Sequence, residues 1–229
     1  MLNLFFIENI DNPILQDDNA HHVDRVLRMS VGQELLISDG VGKWARCSIS
    51  SISKREVLLD VLERGFEELP ELKISVLQAL PKSDRSRETV ELLTAAGVHE
   101  IFPWQSERSI GKESDKWQVT AIEASKQSRR FNIPKVASKL VGSAATEILG
   151  NFDQILICHE SAASKISDVV KRADSTLIVI GPEGGLSERE IDELSASGGE
   201  VIKLGRPVLR SAHAGIAAIS AVSALMRVW

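Results

Sequence analysis

The sequence predicts an α/β protein in which a small β-rich domain is followed by a larger domain built on a parallel sheet. Three observations carry that expectation. Charge is uneven, with seven basic and thirteen acidic side chains in residues 1–72 against twenty and nineteen in 73–229. Short β-type runs separated by glycine turns fill the first stretch. After it, nearly all-apolar runs alternate with segments of helical period, as strands buried on both faces require. The acidic segment Glu63 to Glu71, with Gly65 and Pro70, is the expected linker, so the domains are placed at 1–68 and 73–229.

The elements follow in order. Strands are expected at Leu4 to Glu8, Glu34 to Ser38, Lys43 to Ser50 and Glu56 to Glu63, with turns at Val31-Gly32 and Asp39-Gly40-Val41-Gly42 and one helix over Asp18 to Arg28. In the second domain, strand Ile74 to Leu80 leads to a helix from Ser83 that stops before Gly97, then to strand Val98 to Pro103. A helix over Ser114 to Phe131 is ended by Pro134. Strand Gln154 to Cys158, helix Ala162 to Arg172 and strand Thr176 to Ile180 follow. Ser187 with Glu190 three residues on forms a capping box, and Ser197-Gly198-Gly199 ends that helix. Strand Val201 to Leu204 and helix Ser211 to Trp229 complete the chain.

Composition excludes several classes. With 229 residues, 43% hydrophobic and 26% charged, the chain is an ordinary globular protein. It has no run of 18 apolar residues, and Met1 to Ile10 lacks a basic start and a cleavage site, so a cytoplasmic protein without membrane contact is expected. Cys47 and Cys158 are far apart and in no CxxC pair, which argues for buried, reduced thiols and against a disulfide or zinc site. A net charge of −5, no Tyr and 4% aromatic residues argue against bulk coating of nucleic acid and against aromatic base-stacking sheets.

Two segments look like ligand loops. Ile180-Gly181-Pro182-Glu183-Gly184-Gly185 follows a buried strand, where open α/β sheets bind ligands and where glycines let backbone approach a flat molecule. It is no phosphate loop, because no Lys-Ser/Thr follows and Glu183 would repel phosphate; a tight turn without ligand is the plain alternative. Leu204-Gly205 to Leu209-Arg210-Ser211 is the second, and it opens a helix whose small residues suit close helix packing, including a dimer contact. Arg210 stands at a helix start, where the dipole disfavours a cation, so its position implies a task unless a salt bridge holds it. His213 is a base or a structural residue on the same evidence. Gly40-Val41-Gly42-Lys43-Trp44-Ala45 matches GxGxxA, but a β-type run follows it, so it reads as a hairpin turn.

Three basic clusters remain: Lys82, Arg85 and Arg87; Arg108 with Lys112; and Lys126, Arg129 and Arg130. They are either solvated faces or parts of a phosphate-backbone groove that Arg25 and Arg28 would extend. His21 and His22 point about 100° apart on a helix and form no metal site.

In order along the chain, Gln78-Ala79-Leu80-Pro81-Lys82-Ser83-Asp84-Arg85, Ala95-Ala96-Gly97-Val98, Ser106-Glu107-Arg108-Ser109, Glu123 to Arg130 with Ile133-Pro134, Gly181-Pro182-Glu183-Gly184-Gly185 and Leu204-Gly205 to Leu209-Arg210 resemble the RsmE family, together with His22, Val26-Leu27-Arg28, Gly32 and Asp39-Gly40. These are 16S ribosomal RNA uridine N3-methyltransferases of the SPOUT class. The resemblance implies a PUA-like β-barrel for RNA binding followed by a SPOUT domain with a deep C-terminal trefoil knot. It also implies a homodimer that takes S-adenosylmethionine and acts on 16S ribosomal RNA or the small ribosomal subunit.

Carried over, the cofactor loops are Ile157, Cys158, His159 and Glu160; Ile180, Gly181, Pro182, Glu183, Gly184 and Gly185; and Leu204, Gly205, Val208, Leu209, Arg210 and Ser211. The RNA contacts implied are Arg25, Arg28, Lys82, Arg85, Arg87, Arg108, Gln127, Arg129 and Arg130. Arg210 is the expected catalytic residue, stabilising charge on O2 and O4 as uridine N3 loses its proton, and the target base is expected to be unstacked. Two departures stand out. No Arg lies in Met1 to Phe6, and Ser211-Ala212-His213-Ala214 replaces the usual continuation x-Glu-Thr-Ala. A SPOUT enzyme for another RNA site and a non-catalytic RNA-binding protein are the competing readings.

Overall fold

A computed structural model describes residues 2–229, which separate into two compact units: the chain up to Leu69 together with Ser125–Ile133, and Pro70–Ala124 together with Pro134–Trp229. In the first unit, β1 (Leu4–Phe6), β2 (Ile14–Gln16), β3 (Glu34–Ser38), β4 (Lys43–Ile52) and β5 (Glu56–Phe66) form one sheet in the order β1-β3-β4-β5-β2. All pairs are antiparallel except β1 with β3. Alternate residues of the strands, among them Phe5, Leu15, Leu35, Ile37, Cys47, Ile49 and Val57, meet in a single core with Ala20 and Val23, each large aliphatic contributing about 1.5–3 kcal/mol. Register shifts at Arg46/Cys47 and Ile49/Ser51 bend β4 and curl the sheet over that core. Among the described residues no ladder joins β1 to β2, so the expected barrel is open there.

The returning segment 125–133 is fixed to the β3–β4 turn. Gly42 N–H and the Ser38 hydroxyl both donate to the Phe131 carbonyl at 3.1 Å, and Ile133 N–H donates to the Gly40 carbonyl at 2.9 Å. Phe131 stacks on Trp44 with centroids 5.4 Å apart. Trp44 in turn lies across Gly65, where any Cβ would overlap the indole. Gly65 is therefore part of a strand and not of the linker: β5 runs on to Phe66, paired to Lys43–Arg46, with Arg46 bridging to Glu63 at 3.2 Å.

In the second unit, β6 (Lys73–Ala79), α2 (Ser83–Ala95), β7 (Glu100–Gln105), α3 (Trp117–Ser128, passing into the first unit), β8 (Lys135–Val136), β9 (Leu140–Val141), β10 (Gln154–Cys158), β11 (Ser164–Lys165), α4 (Ile166–Val169), β12 (Ser175–Ile180), α5 (Glu188–Ala196), β13 (Glu200–Lys203) and α6 (Ser211–Leu225) follow in order, α1 (Asp17–His21) having preceded them in the first unit. Every strand pair is parallel, in the order β11-β13-β10-β12-β6-β7-β8 with β9 also on β7. Odd and even residues of each strand face opposite cores, as a sheet covered on both sides demands. Val76, Ile178 and Ile202 pack against α2, α4 and α6, while Leu77, Val179 and Ile157 pack against α5 and the 3-10 helix Gly142–Asn151.

Several expectations need correction. The helix at Asp18 to Arg28 begins as α1 and continues as a π-turn over His22–Val26. The helix expected over Ala162 to Arg172 is only Ile166–Val169, because Ser164–Lys165 pair with β13 and β-branched Val169-Val170 disfavour continuation. β2, β8, β9 and the 3-10 helix are too short or too irregular to leave a periodic pattern. The tight helix packing expected of the small residues of α6 is present: Gly215 lies against Leu93 of α2, where a Cβ would meet the leucine side chain at 2.5 Å. Finally, residues 125–133 bring Lys126, Arg129 and Arg130 and no carboxylate to the first unit, which then holds ten basic and twelve acidic side chains. The acid excess of residues 1–72 is thus nearly cancelled within the folded unit.

Candidate functional site

Because the sheet is parallel, the carboxyl ends of β6, β10, β12 and β13 lie on one edge, and the chain reverses its direction of growth between β6 and β12. Such a switch point opens a crevice above the sheet. Here the loops after β10, β12 and β13 line a cleft of about 400 Å3. Cys158, His159 and Glu160 form one side, Ile180 through Gly185 the floor, and Val208, Leu209, Arg210 and Ser211 the other side. A recess of about 80 Å3 extends it to Leu204 and Gly205. Of the sixteen cofactor positions expected from the sequence, only Ile157 is absent from these walls; its side chain is fully buried in the core beside α5.

The floor is held by a polar framework. Ser187 caps α5 by accepting the Glu190 N–H, and the buried Glu190 carboxylate accepts the Ser187 N–H at 2.9 Å and the Glu107 N–H at 2.7 Å. Ser187 Oγ donates to Glu107 at 2.9 Å, which with nearby Arg189 and Arg108 holds the Glu107 carboxyl below the usual carboxylate range. The Arg108 guanidinium donates to the Gly184 carbonyl at 3.1 Å, so this residue, expected to meet RNA, also ties down the glycine loop. Gly185 needs its φ of +71° to turn the chain into α5. On the opposite side Ser211 Oγ donates to the Gly181 carbonyl at 2.7 Å and accepts from the fully buried Gln78 amide at 3.0 Å.

The lining has a definite chemistry. Ile180, Leu186, Val208, Leu209 and Ala214 offer apolar surface to a flat ring, while Glu160 and Glu183 place carboxylates at the same cleft. Burial pushes the Cys158 thiol up to about 12, so it stays protonated and weakly nucleophilic. A cleft of this size with this lining fits a small, partly aromatic cationic ligand, and S-adenosylmethionine has that character.

Glu183, Arg210 and Ser211 also border a second cleft of about 300 Å3, closed by Lys82, Asp84, Arg85, Glu88, Ala212 and His213. Arg210 thus stands between two clefts, and among the described residues no carboxylate pairs with its guanidinium, which leaves it exposed. Glu88 accepts from Arg85 at 2.9 Å and faces His213 Nε2 at 3.3 Å; these two partners hold its carboxyl below the usual range. The Lys82 N–H donates to Glu183 at 3.1 Å, joining the β6 and β12 loops.

The remaining basic candidates divide between the units. Lys82, Arg85 and Arg87 flank or lie on α2, with Arg87 bound to Glu91 at 2.6 Å. In the first unit Arg25 pairs with Asp24, and exposed Arg28 adopts a left-handed φ of +51°. Gln127 is exposed at the end of α3. Arg129 takes φ +55° where α3 stops, with Arg130 N–H donating back to Ser125 O at 3.0 Å, a helix end that glycine usually occupies. Burial pulls the Arg130 guanidinium down to about 10, still charged at neutral pH.

The sequence reading missed Leu186, Ala214 and Lys203 as wall residues and Gln78 as an anchor. Gln78 had a signal: with Ser75 it is one of two polar residues in the apolar run Ile74 to Leu80, and the only one with an amide.

Comparison with known proteins agrees with this geometry. Residues 67–223 match the family model of an RNA methyltransferase domain, and residues 15–62 match that of an RNA methyltransferase PUA domain. The chain is 31% identical over 243 residues to the ribosomal RNA small subunit methyltransferase E of Mycobacterium tuberculosis, covering 99% of this chain and 93% of the relative. It is 32% identical to the Bacillus subtilis protein of the same name, covering 95% and 91%. The crystal structure of the Neisseria gonorrhoeae ribosomal RNA small subunit methyltransferase E bound to S-adenosylmethionine superposes with a TM-score of 0.88 at 27% identity, covering 98% of each chain.

Proposed function

The chain belongs to the ribosomal RNA small subunit methyltransferase E family, and on that premise we propose that it uses S-adenosylmethionine to methylate N3 of one uridine in small-subunit ribosomal RNA. The observation that carries the proposal is the meeting of three strand-end loops in one cleft with Arg210 unpaired at its border with a second. The first cleft takes the cofactor and the second takes the acceptor base. The carbonyl and N–H edges of the glycine floor, immobilised by Glu190, Arg108 and Ser211, hold the cofactor in one orientation. When bound, S-adenosylmethionine supplies a methyl group on a cationic sulfur, already activated for displacement.

What the protein must supply is therefore alignment, exclusion of water and an acceptor nitrogen that has lost its proton. Arg210 does the electrostatic part: its guanidinium faces the negative charge that spreads over O2 and O4 as N3 ionises. The exposed apolar rim of Val208 and Leu209 lies against the cofactor in the first cleft, and the target base enters the second cleft unstacked. The first unit, with Arg25, Arg28, Gln127, Arg129 and Arg130, binds flanking RNA. Lys82, Arg85, Arg87 and Arg108 guide the phosphate backbone to the clefts. The family resemblance further supports a cytoplasmic homodimer and a deep C-terminal trefoil knot. No described helix is long and apolar enough to cross a membrane.

The test is transfer of labelled methyl from S-adenosylmethionine to small ribosomal subunits, with the product located by mass spectrometry of the RNA. Arg210→Ala should cut turnover about 100-fold or more while calorimetric affinity for the cofactor changes little. Turnover equal to wild type would remove Arg210 from the mechanism. Failure of the folded wild type to bind S-adenosylmethionine would favour a non-catalytic RNA-binding protein instead, and methyl found at another position would identify a methyltransferase for another RNA site.

A further inference from the structure

Resting on that reading, the geometry points to His213 as the general base that takes the N3 proton of the acceptor uridine, with Glu88 holding the imidazole in the tautomer that makes this possible. The second of the two clefts that Arg210 borders contains one imidazole, His213, and its Nε2 lies 3.3 Å from the Glu88 Oε1 atom. Glu88 is not a loose partner. Its other oxygen accepts from Arg85 at 2.9 Å, so the carboxylate is fixed from behind by a guanidinium on the same helix. A carboxylate accepts hydrogen bonds only, which places the single proton of a neutral imidazole on Nε2 and leaves the Nδ1 lone pair free. His213 sits in the first turn of α6, three residues after Arg210, so the two side chains rise from neighbouring points on one rim.

The step balances. Nδ1 accepts the proton from N3, the N3 electron pair forms the new N–C bond, the S–C bond of the donor breaks, and its electron pair stays on sulfur, which leaves as an uncharged thioether. The imidazolium that results is stabilised by Glu88, and the transient charge on O2 and O4 by Arg210. The charged groups facing His213 are Glu88, Arg85 and Asp84 from α2, Lys82 before it, Glu183 from the glycine loop and Arg210 from its own segment. Glu88 is the one in contact, so its charge dominates the local balance. This base belongs to the segment Ser211-Ala212-His213-Ala214, where the chain departs from the sequence usual in its family.

Single-turnover methyl transfer to small ribosomal subunits, followed from acid to alkaline pH, tests the assignment. The wild-type rate should fall on the acid side, where the base is protonated. His213→Ala and His213→Asn, the latter keeping a donor toward Glu88, should each lose about 100-fold, lose that acid limb, and bind S-adenosylmethionine by calorimetry as the wild type does. Added imidazole should restore part of the rate of His213→Ala. Glu88→Gln, which keeps an acceptor but removes the charge, should retain the limb and move it to lower pH. A His213→Asn enzyme with wild-type rate and wild-type pH profile would overturn the assignment, as would loss of rate with the acid limb retained and no rescue. No transfer by the wild type would overturn the proposed function itself, and this assignment with it.

Discussion

Replacing Glu190 by Ala should unfasten the floor of the cofactor cleft, and the structure sets the size of the effect. Glu190 is 4% exposed, and its two oxygens each accept a backbone N–H, from Ser187 at 2.9 Å and from Glu107 at 2.7 Å. Both bonds are charge-assisted and therefore stronger than neutral ones. Alanine leaves two donors without partners, at about 1–3 kcal/mol each, although the half-exposed Glu107 loop lets water relieve one of them. The Ser187 bond is one half of the capping box on α5; its other half, Ser187 Oγ accepting the residue-190 N–H, remains in the variant. Together the loss is about 3 kcal/mol, or about 6–12 °C in the melting temperature of a unit this size. Because Ser187 ends the glycine loop, cofactor affinity should fall as well, by about tenfold for each 1.4 kcal/mol of lost order. Glu190→Gln keeps one acceptor and turns an NH2 toward the second N–H, so it should lie between the two. Thermal melting and calorimetry with S-adenosylmethionine measure both effects. A melting temperature for Glu190→Ala within 2 °C of wild type would refute the claim that this carboxylate carries the loop.

Three further outcomes are expected. Arg129→Gly should stabilise the first unit by about 1 kcal/mol in denaturant, because the left-handed end of α3 no longer carries a Cβ; it should also weaken RNA binding and flatten its salt dependence by about 0.7 in log–log slope if one phosphate contact is lost. Burial raises the Cys47 thiol to about 11, so it should not react appreciably with a disulfide reagent at pH 8 until denaturant is added. The Ser175 hydroxyl and N–H hold the Asp153 carboxyl below its ordinary 3.8. Its contribution is thus complete above that value and lost as the pH falls through the lower folded-state value, so acid unfolding of Asp153→Asn should start from a lower stability and be less steep than wild type below pH 4.

Much of the second unit was legible because a strand buried on both faces has almost no choice of composition. Leu177 to Ile180 and Leu156 to Cys158 read as such directly, and the glycines that follow mark the strand ends. The capping box at Ser187 was equally plain, since its two side chains must be a hydroxyl and a carboxylate three apart. What local pattern could not show was the second task of each residue. Glu190 also binds the Glu107 N–H, eighty-three residues away, and Arg108 bonds to the glycine loop; both contacts are made by tertiary folding alone. Gly65 misled in the same way. It looked like a chain breaker, yet its missing side chain is the seat of Trp44 on a continuous strand.

The charge of −5 argued against bulk coating of nucleic acid, and its distribution along the chain set the acid excess on residues 1–72. Folding recounts it. The helix α3 carries Lys126, Arg129 and Arg130 out of the second unit and sets them on the acidic first one, where the Phe131 carbonyl is bound by Gly42 and Ser38 and its ring by Trp44. Two arginines of that unit, Arg28 and Arg129, keep left-handed backbone that glycine would adopt without strain. On the RNA-binding role proposed above, that strain keeps a guanidinium at each turn where a phosphate would sit. An acidic protein that binds RNA at a few fixed cations is consequently weak toward RNA in general and dependent on shape for the rest.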